Sequence, residues 1–267
     1  MKAGILATLV VLVVLVLAVR FVRGSRAEAQ PMAPPQGKPA PSGPAGFESF
    51  KELLFADAPL EKSAELASQK KQPADSPFGR LAAAQSQVRQ GKAEEARKDL
   101  RALLDNPETR IRLLAWRALR DLGERPDPQS ADKVRGVVCE LSLAESGVGT
   151  LAVYEDGRAR WLGGQGAVTI WESPGSDPEI AKAIQDLLRA AAPLVKSAPV
   201  SPQHQSSGLE RDHFRVTVLT YGGAYIAEAY GPDINGAHPL GPPLLASNSV
   251  LGALQKMAAK NSKSKAH

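Results

Sequence analysis

The residues of this chain whose types could do chemistry are four histidines, one cysteine, two glycine-containing stretches, a run of arginines and a few tryptophans. His204, His213, His238 and His267 are not at the spacing that puts two ligands on one helix face, so they read as loop residues, with His213 at the start of a strand. Cys139 is the single cysteine, which excludes a Cys-x-x-Cys site and an intrachain disulfide. It falls within an apolar alternation, where a small buried thiol is the ordinary case. Gly91-Lys92 lacks both the earlier glycine and the following hydroxyl of a phosphate loop. Gly147-x-Gly149-x-x-Ala152 has the spacing of a dinucleotide fingerprint but leads into a strand, so it offers no helix N-terminus to a pyrophosphate. There is no Gly-x-Ser-x-Gly elbow, and Glu94, Glu95 and Asp99 belong to the wet face of a helix. The chain is therefore expected not to be an enzyme, with no cofactor and no metal.

Two features remain. Arg110, Arg117 and Arg120 recur on one face of a helix, opposite its apolar stripe: either a solvated face or a surface for an acidic partner or lipid. Trp161 and Trp171 lie on adjacent strands, either packed together in the core or marking a sheet surface that binds something.

The elements that must position these residues follow from periodicity. Phe47–Phe55 is a short amphipathic stretch, and a weak helix runs Leu60–Lys71. Residues 77–123 carry three helices: Phe78–Gln90 ended by Gly91, Ala93–Leu104, and a third led in by Pro107 and stopped at Gly123. Glu124–Asp132 is polar and proline-containing. The period then drops to two: strands at Gly136–Ala144, Thr150–Glu155, Arg158–Leu162 (returning through an Asp156-Gly157 turn) and Ala167–Glu172. Asp177 caps a helix that opens with Pro178. Phe214–Thr220 and Ala224–Tyr230 form a second hairpin through Gly222-Gly223, a Pro/Gly loop spans 231–246, and a helix Ser249–Lys260 closes the chain. The order β-β-β-β-α-β-β-α predicts an α+β fold, a two-layer antiparallel sheet of five or six strands with both helices on one side.

Gly91-Lys92-Ala93-Glu94-Glu95-Ala96, followed by Leu100, Leu103 and Pro107, resembles the second half of a tetratricopeptide repeat. Thr109–Gly123, with Arg112, Ala115, Ala118, Leu119 and Gly123, resembles a HEAT-type helix. The resemblance covers residues 78–123 and implies a scaffolding role. Stacked repeats need about three units, so this hairpin must lean on something else. The sheet domain resembles profilin-like and longin-like adaptor folds in element order alone.

Residues 3–19 are an unbroken apolar run, and extension to Val22 reaches the roughly 20 residues that span a bilayer if Arg20 snorkels to the headgroups. Ala27-Glu28-Ala29 has the look of a cleavage site, but Arg20, Arg23 and Arg26 stand in front of it, which favours an uncleaved single-pass anchor. The heavier positive flank places the body in the cytoplasm; a periplasmic or extracellular body, or secretion after cleavage at Ala29, are the alternatives. The absence of an Asn-x-Ser/Thr acceptor fits a non-secreted or bacterial chain. The formal charge of +5 comes from the ends: without Lys2, Arg20, Arg23, Arg26, Lys256, Lys260, Lys263 and Lys265 the rest carries −3. No nucleic-acid partner is therefore expected.

The chain divides into an anchor (1–29), a disordered Pro-rich stalk (30–46), a helical segment (47–123), a linker (124–135), an α+β domain (136–260) and a basic tail (261–267). The expected function is a non-catalytic, membrane-tethered protein-interaction module, with an unidentified protein partner and the lipid bilayer engaged through residues 3–22. The alternatives are a small-ligand sensor or enzyme with a pocket under loop 231–246, and an envelope structural protein facing outward.

Overall fold

The computed structural model describes residues 53–56, 58–69, 71–143, 147–163, 168–201, 209–235 and 237–264. The anchor, the stalk and most of Phe47–Phe55 lie outside them. Helices α1 (Leu60–Gln69), α2 (Pro77–Arg89), α3 (Ala93–Arg101), α4 (Thr109–Asp121) and α5 (Pro128–Ala131) come first. Strands β1 (Gly136–Leu143), β2 (Gly147–Tyr154), β3 (Ala159–Leu162) and β4 (Val168–Trp171) follow. Then come α6 (Pro178–Ala191), α7 (Leu194–Ser197), β5 (Val200–Ser201), β6 (His213–Leu219), β7 (Ala224–Tyr230) and α8 (Gly241–Ser264).

The expected α+β class and main strand order stand, with one addition: the two-residue β5 makes the sheet seven-stranded, in the order β4-β3-β2-β1-β6-β7-β5. Every pairing is antiparallel. The side chains of a strand alternate between two faces, and here both faces are covered. On one face Val137, Cys139, Leu151, Val153, Trp161, Val216 and Val218 pack against α6 and α8 through Ile180, Ile184, Leu187, Val250 and Leu254. On the other, Val138, Ala152, Tyr154, Leu162, Leu219 and Ala224 share a core with Leu81, Leu100, Ile111, Leu114, Ala118 and Leu119 of the helical segment. The two-layer expectation is thus corrected to three layers, with the helical hairpin leaning on the sheet. The cause is visible in α4. It buries Leu113, Ala115 and Leu119 as well as Ile111, Leu114 and Ala118, an apolar belt too wide for α2 and α3 alone to cover.

Turn chemistry ties the layers together. In the Asp156-Gly157 turn Gly157 takes φ +85°, and Asp156 reaches out of the turn to cap α4: its carboxylate accepts the Thr109 N–H at 2.7 Å. This is why α4 opens at Thr109 and not at Pro107. Asp177 caps α6 as expected, accepting from the N–H groups of Glu179 and Ile180. The expected linker is docked: it holds α5, and the Ala131 carbonyl accepts the Gly222 N–H at 2.8 Å.

The 231–246 loop is corrected more strongly. Gly231–Asp233 is a 3₁₀ turn and α8 already begins at Gly241. Pro242 and Pro243 sit in its first turn, where a missing N–H breaks no helical bond. Ile234, Leu240 and Leu244 are buried in the core beside α6, so the long loop that motivated a pocket is largely helix and core. At the other end α8 runs past Lys260 to Ser264, into the expected basic tail.

Candidate functional site

The arginines come first, because α4 lies between α2–α3 and the sheet. Arg110 is 9% exposed, and its Nε donates to Glu108 at 2.5 Å. Arg117 bonds Asp121 at 3.1 Å. Arg120 donates to the Tyr221 carbonyl in the β6–β7 turn. The face read as either solvated or a surface for an acidic partner or lipid thus has Arg110 and Arg120 engaged within the chain and Arg117 paired with Asp121 on its own helix. Arg112 completes the fastening: Nε donates to the Tyr221 hydroxyl at 3.0 Å and Nη2 to Glu155 at 2.8 Å. Arg135 holds the same Glu155 at 2.8 Å and lies 4.2 Å from the Tyr221 ring centre. Burial works against the Arg112 charge, but the bonds to Glu155 and Tyr221 outweigh it and raise its pKa above the ordinary value. The Tyr154 hydroxyl, pushed up to about 12 by burial, stays protonated and donates to the Leu54 carbonyl at 2.5 Å.

The tryptophans are placed by the register of β3 and β4. Trp161 stands opposite Thr169 and Trp171 opposite Ala159, so they are diagonal neighbours on one face and not a direct pair. Trp161 is 6% exposed and Trp171 packs against the same core. Of the two readings, core packing is the one this placement supports: Trp161 is buried and Trp171 is partly buried against the core under α6 and α8.

The exposed side of the same hairpin is the reverse one. Val168 and Ile170 are 50% and 47% exposed, although their β3 partners Leu162 and Arg160 are buried. β4 ends the sheet, and among the described residues no strand pairs with its outer side. Edge strands are ordinarily guarded by charge, proline, a bulge or shortness. Val168-Thr169-Ile170-Trp171 has no charge and no proline. The guards stand outside it: Arg158 reaches Glu172 at 2.9 Å, and Arg160 bonds the same carboxylate. The opposite edge is the two-residue β5. β5 covers only Ala224 and Tyr225 of β7, so among the described residues both sides of the sheet leave edge to pair with, and β4 is the edge that presents two half-exposed aliphatic side chains, Val168 and Ile170.

A second feature escaped the reading of the sequence. Thr150, Glu140, Arg215 and Glu228 are direct partners in register across β2, β1, β6 and β7. The first three are no more than 3% exposed. Arg215 gives Nη1 to Glu140 at 3.3 Å and Nε to Glu228 at 2.9 Å, and His213 Nδ1 lies 3.1 Å from the other Glu228 oxygen. The alternation of His213, Arg215 and Thr217 with Phe214, Val216 and Val218 was the available signal. It announces a polar face but not that helices will cover it.

The remaining candidates resolve locally. Gly147 and Gly149 lie within β2. His238 Nδ1 accepts the Leu240 N–H at 3.2 Å just before α8, while His204 and His267 lie outside the described residues. No group of three or more metal-ligating side chains occurs among the described residues. Burial pushes the Cys139 thiol up to about 12, although its bond to Ser247 works the other way. The native chain should therefore leave Cys139 unlabelled by iodoacetamide at pH 8 and release one reactive thiol in denaturant; labelling at the rate of a free thiol in the folded chain would contradict the burial. A cavity of about 10 Å³ between Phe55, Leu113, Arg120 and Leu219 has room for a single water.

Comparison with protein-family models, with curated proteins and with solved structures finds no match. Among the described residues no helix is long and apolar enough to cross a membrane; residues 3–22 lie outside that set.

Proposed function

We propose that this chain is a non-catalytic protein-interaction module, held at a membrane by residues 3–22 with its body on the cytoplasmic side, and that its docking site is the open edge of β4. The observation that carries the reading is the pair Val168 and Ile170, about half exposed on an uncharged outermost strand. Main-chain hydrogen bonds to an added strand supply affinity, and alternate side chains supply selectivity. The apolar run 3–19 and its basic flank support the membrane address. Tethering raises the effective concentration of partners in the same bilayer, which lets a short edge suffice. The likeness of residues 78–123 to tetratricopeptide and HEAT helices points to the same class of role. The start of α8 at Gly241, the 3₁₀ turn Gly231–Asp233 and the burial of Ile234 and Leu240 shorten the 231–246 loop and weaken the motive for the ligand-pocket alternative.

The test is Ile170→Lys in the full chain. The substitution puts a charge at an exposed position and leaves the core untouched. Cells are treated with a membrane-permeant cross-linker and the membrane fraction is compared with wild type. Cross-linked species of the wild-type chain should be absent from the variant at unchanged expression, and absent when residues 3–22 are deleted. Identical patterns in all three would count against this reading.

A further inference from the structure

We propose that the segment docking on β4 is β4 of a second copy, paired antiparallel across a two-fold axis that passes through Thr169 along the sheet normal, when both copies sit in one membrane. The inference rests on the membrane-held reading above and narrows its partner to this chain itself.

The register follows from the geometry of antiparallel strands. Directly opposed residues point to the same face, and an axis normal to the sheet keeps the faces of both copies aligned. Centred on Thr169, the pairing sets Val168 opposite the partner's Ile170 and Ile170 opposite the partner's Val168. The two side chains that are 50% and 47% exposed then cover one another twice over on the same face. On the other face Thr169 meets its own copy, a favourable threonine pair. A register centred on Ile170 would set Val168 against Glu172, whose carboxylate is already engaged by Arg158 and Arg160.

The place of Leu54 in the fold agrees with the same occupant. Leu54 belongs to the core between the sheet and α1–α4, where its carbonyl accepts the Tyr154 hydroxyl. An axis along the sheet normal leaves the α1–α4 layers of both copies on one side. Leu54 of both copies therefore lies on the same side of the joined sheet, which suits two anchors in one bilayer. An arrangement that inverted one copy would place Leu54 of the two copies on opposite sides of the sheet.

Area sets the condition. A stable interface buries about 1,200–2,000 Å², and a pair of four-residue strands falls short of that. The pair is therefore absent in dilute detergent solution and forms under confinement in the membrane.

The experiment uses the full chain in its native membrane under mild oxidation, with Thr169→Cys, Val168→Cys and Ile170→Cys made singly; Cys139 is buried and takes no part. A residue on the axis faces itself, whereas positions 168 and 170 face each other. Thr169→Cys should give a disulfide-linked dimer as its main product, and the single changes at 168 and 170 should stay mostly monomeric. Adding Ile170→Lys to Thr169→Cys, or diluting in detergent before oxidation, should abolish the dimer. Equal linking at all three positions, or none at 169, would overturn the homotypic pairing. If a photo-reactive residue at position 170 then captures a different protein while Thr169→Cys stays monomeric, the interaction reading survives and the second copy is excluded. If that probe captures nothing in the membrane, both fall.

Discussion

Arg215→Leu should be among the most destabilising single substitutions in the sheet, costing about 3–5 kcal/mol. Arg215 is 3% exposed and bridges the fully buried Glu140 to Glu228 at the rim. Its removal leaves a carboxylate in the interior with its principal counter-charge gone. The sign of the coupling is the sharper test. In Glu140→Leu/Arg215→Leu both buried charges disappear and apolar side chains of similar volume occupy the central rungs, while Glu228, on the outer strand, can hydrate. The double variant should therefore be more stable than Arg215→Leu alone. Denaturant unfolding followed by tryptophan fluorescence measures both. Costs that simply add would mean that the row is not a coupled unit.

Leu119→Ala should cost about 2–5 kcal/mol and should lower the stability of helices and sheet together. Leu119 is fully buried on α4 and belongs to the core shared with Val138, Ala152, Tyr154 and Leu162 of the strands. Trp116 reports from α4, and Trp161 and Trp171 report from β3 and β4, so replacing tryptophans in turn by phenylalanine gives one probe for each layer. The two probes should show coincident transitions, both shifted by Leu119→Ala. Separate transitions, with only the Trp116 signal shifted, would mean that the helical segment folds apart from the sheet.

Much of this architecture was legible in the residues, because local chemistry decided it. Asp156-Gly157 announces a tight turn, Asp177-Pro178 a helix start, and the alternation of Val137, Cys139 and Leu141 a strand with one apolar face. What local pattern does not carry is the identity of the neighbour. Glu140 and Arg215 look like a solvated face until α1–α4 are laid over the sheet. Arg110, Arg117 and Arg120 look like an outer face until α4 is found between two layers. Pro242 and Pro243 read as loop because a first helical turn and a loop tolerate proline equally well. Val168 and Ile170 matter only because β4 comes last in the strand order, a property of the whole sheet and not of four residues. The site therefore emerged on the strand that carries Trp171 and beside the strand that carries Trp161, on the opposite face of the same hairpin.

The most direct test of the docking edge is site-specific photo-cross-linking in intact membranes. A photo-reactive amino acid is placed at Ile170 in one chain and at Leu245, 54% exposed on α8, in another. A discrete protein adduct at position 170, with none at position 245, is the predicted result. Adducts of equal yield at both positions, or at position 245 alone, would contradict the assignment of β4 as the edge through which this chain engages its partners.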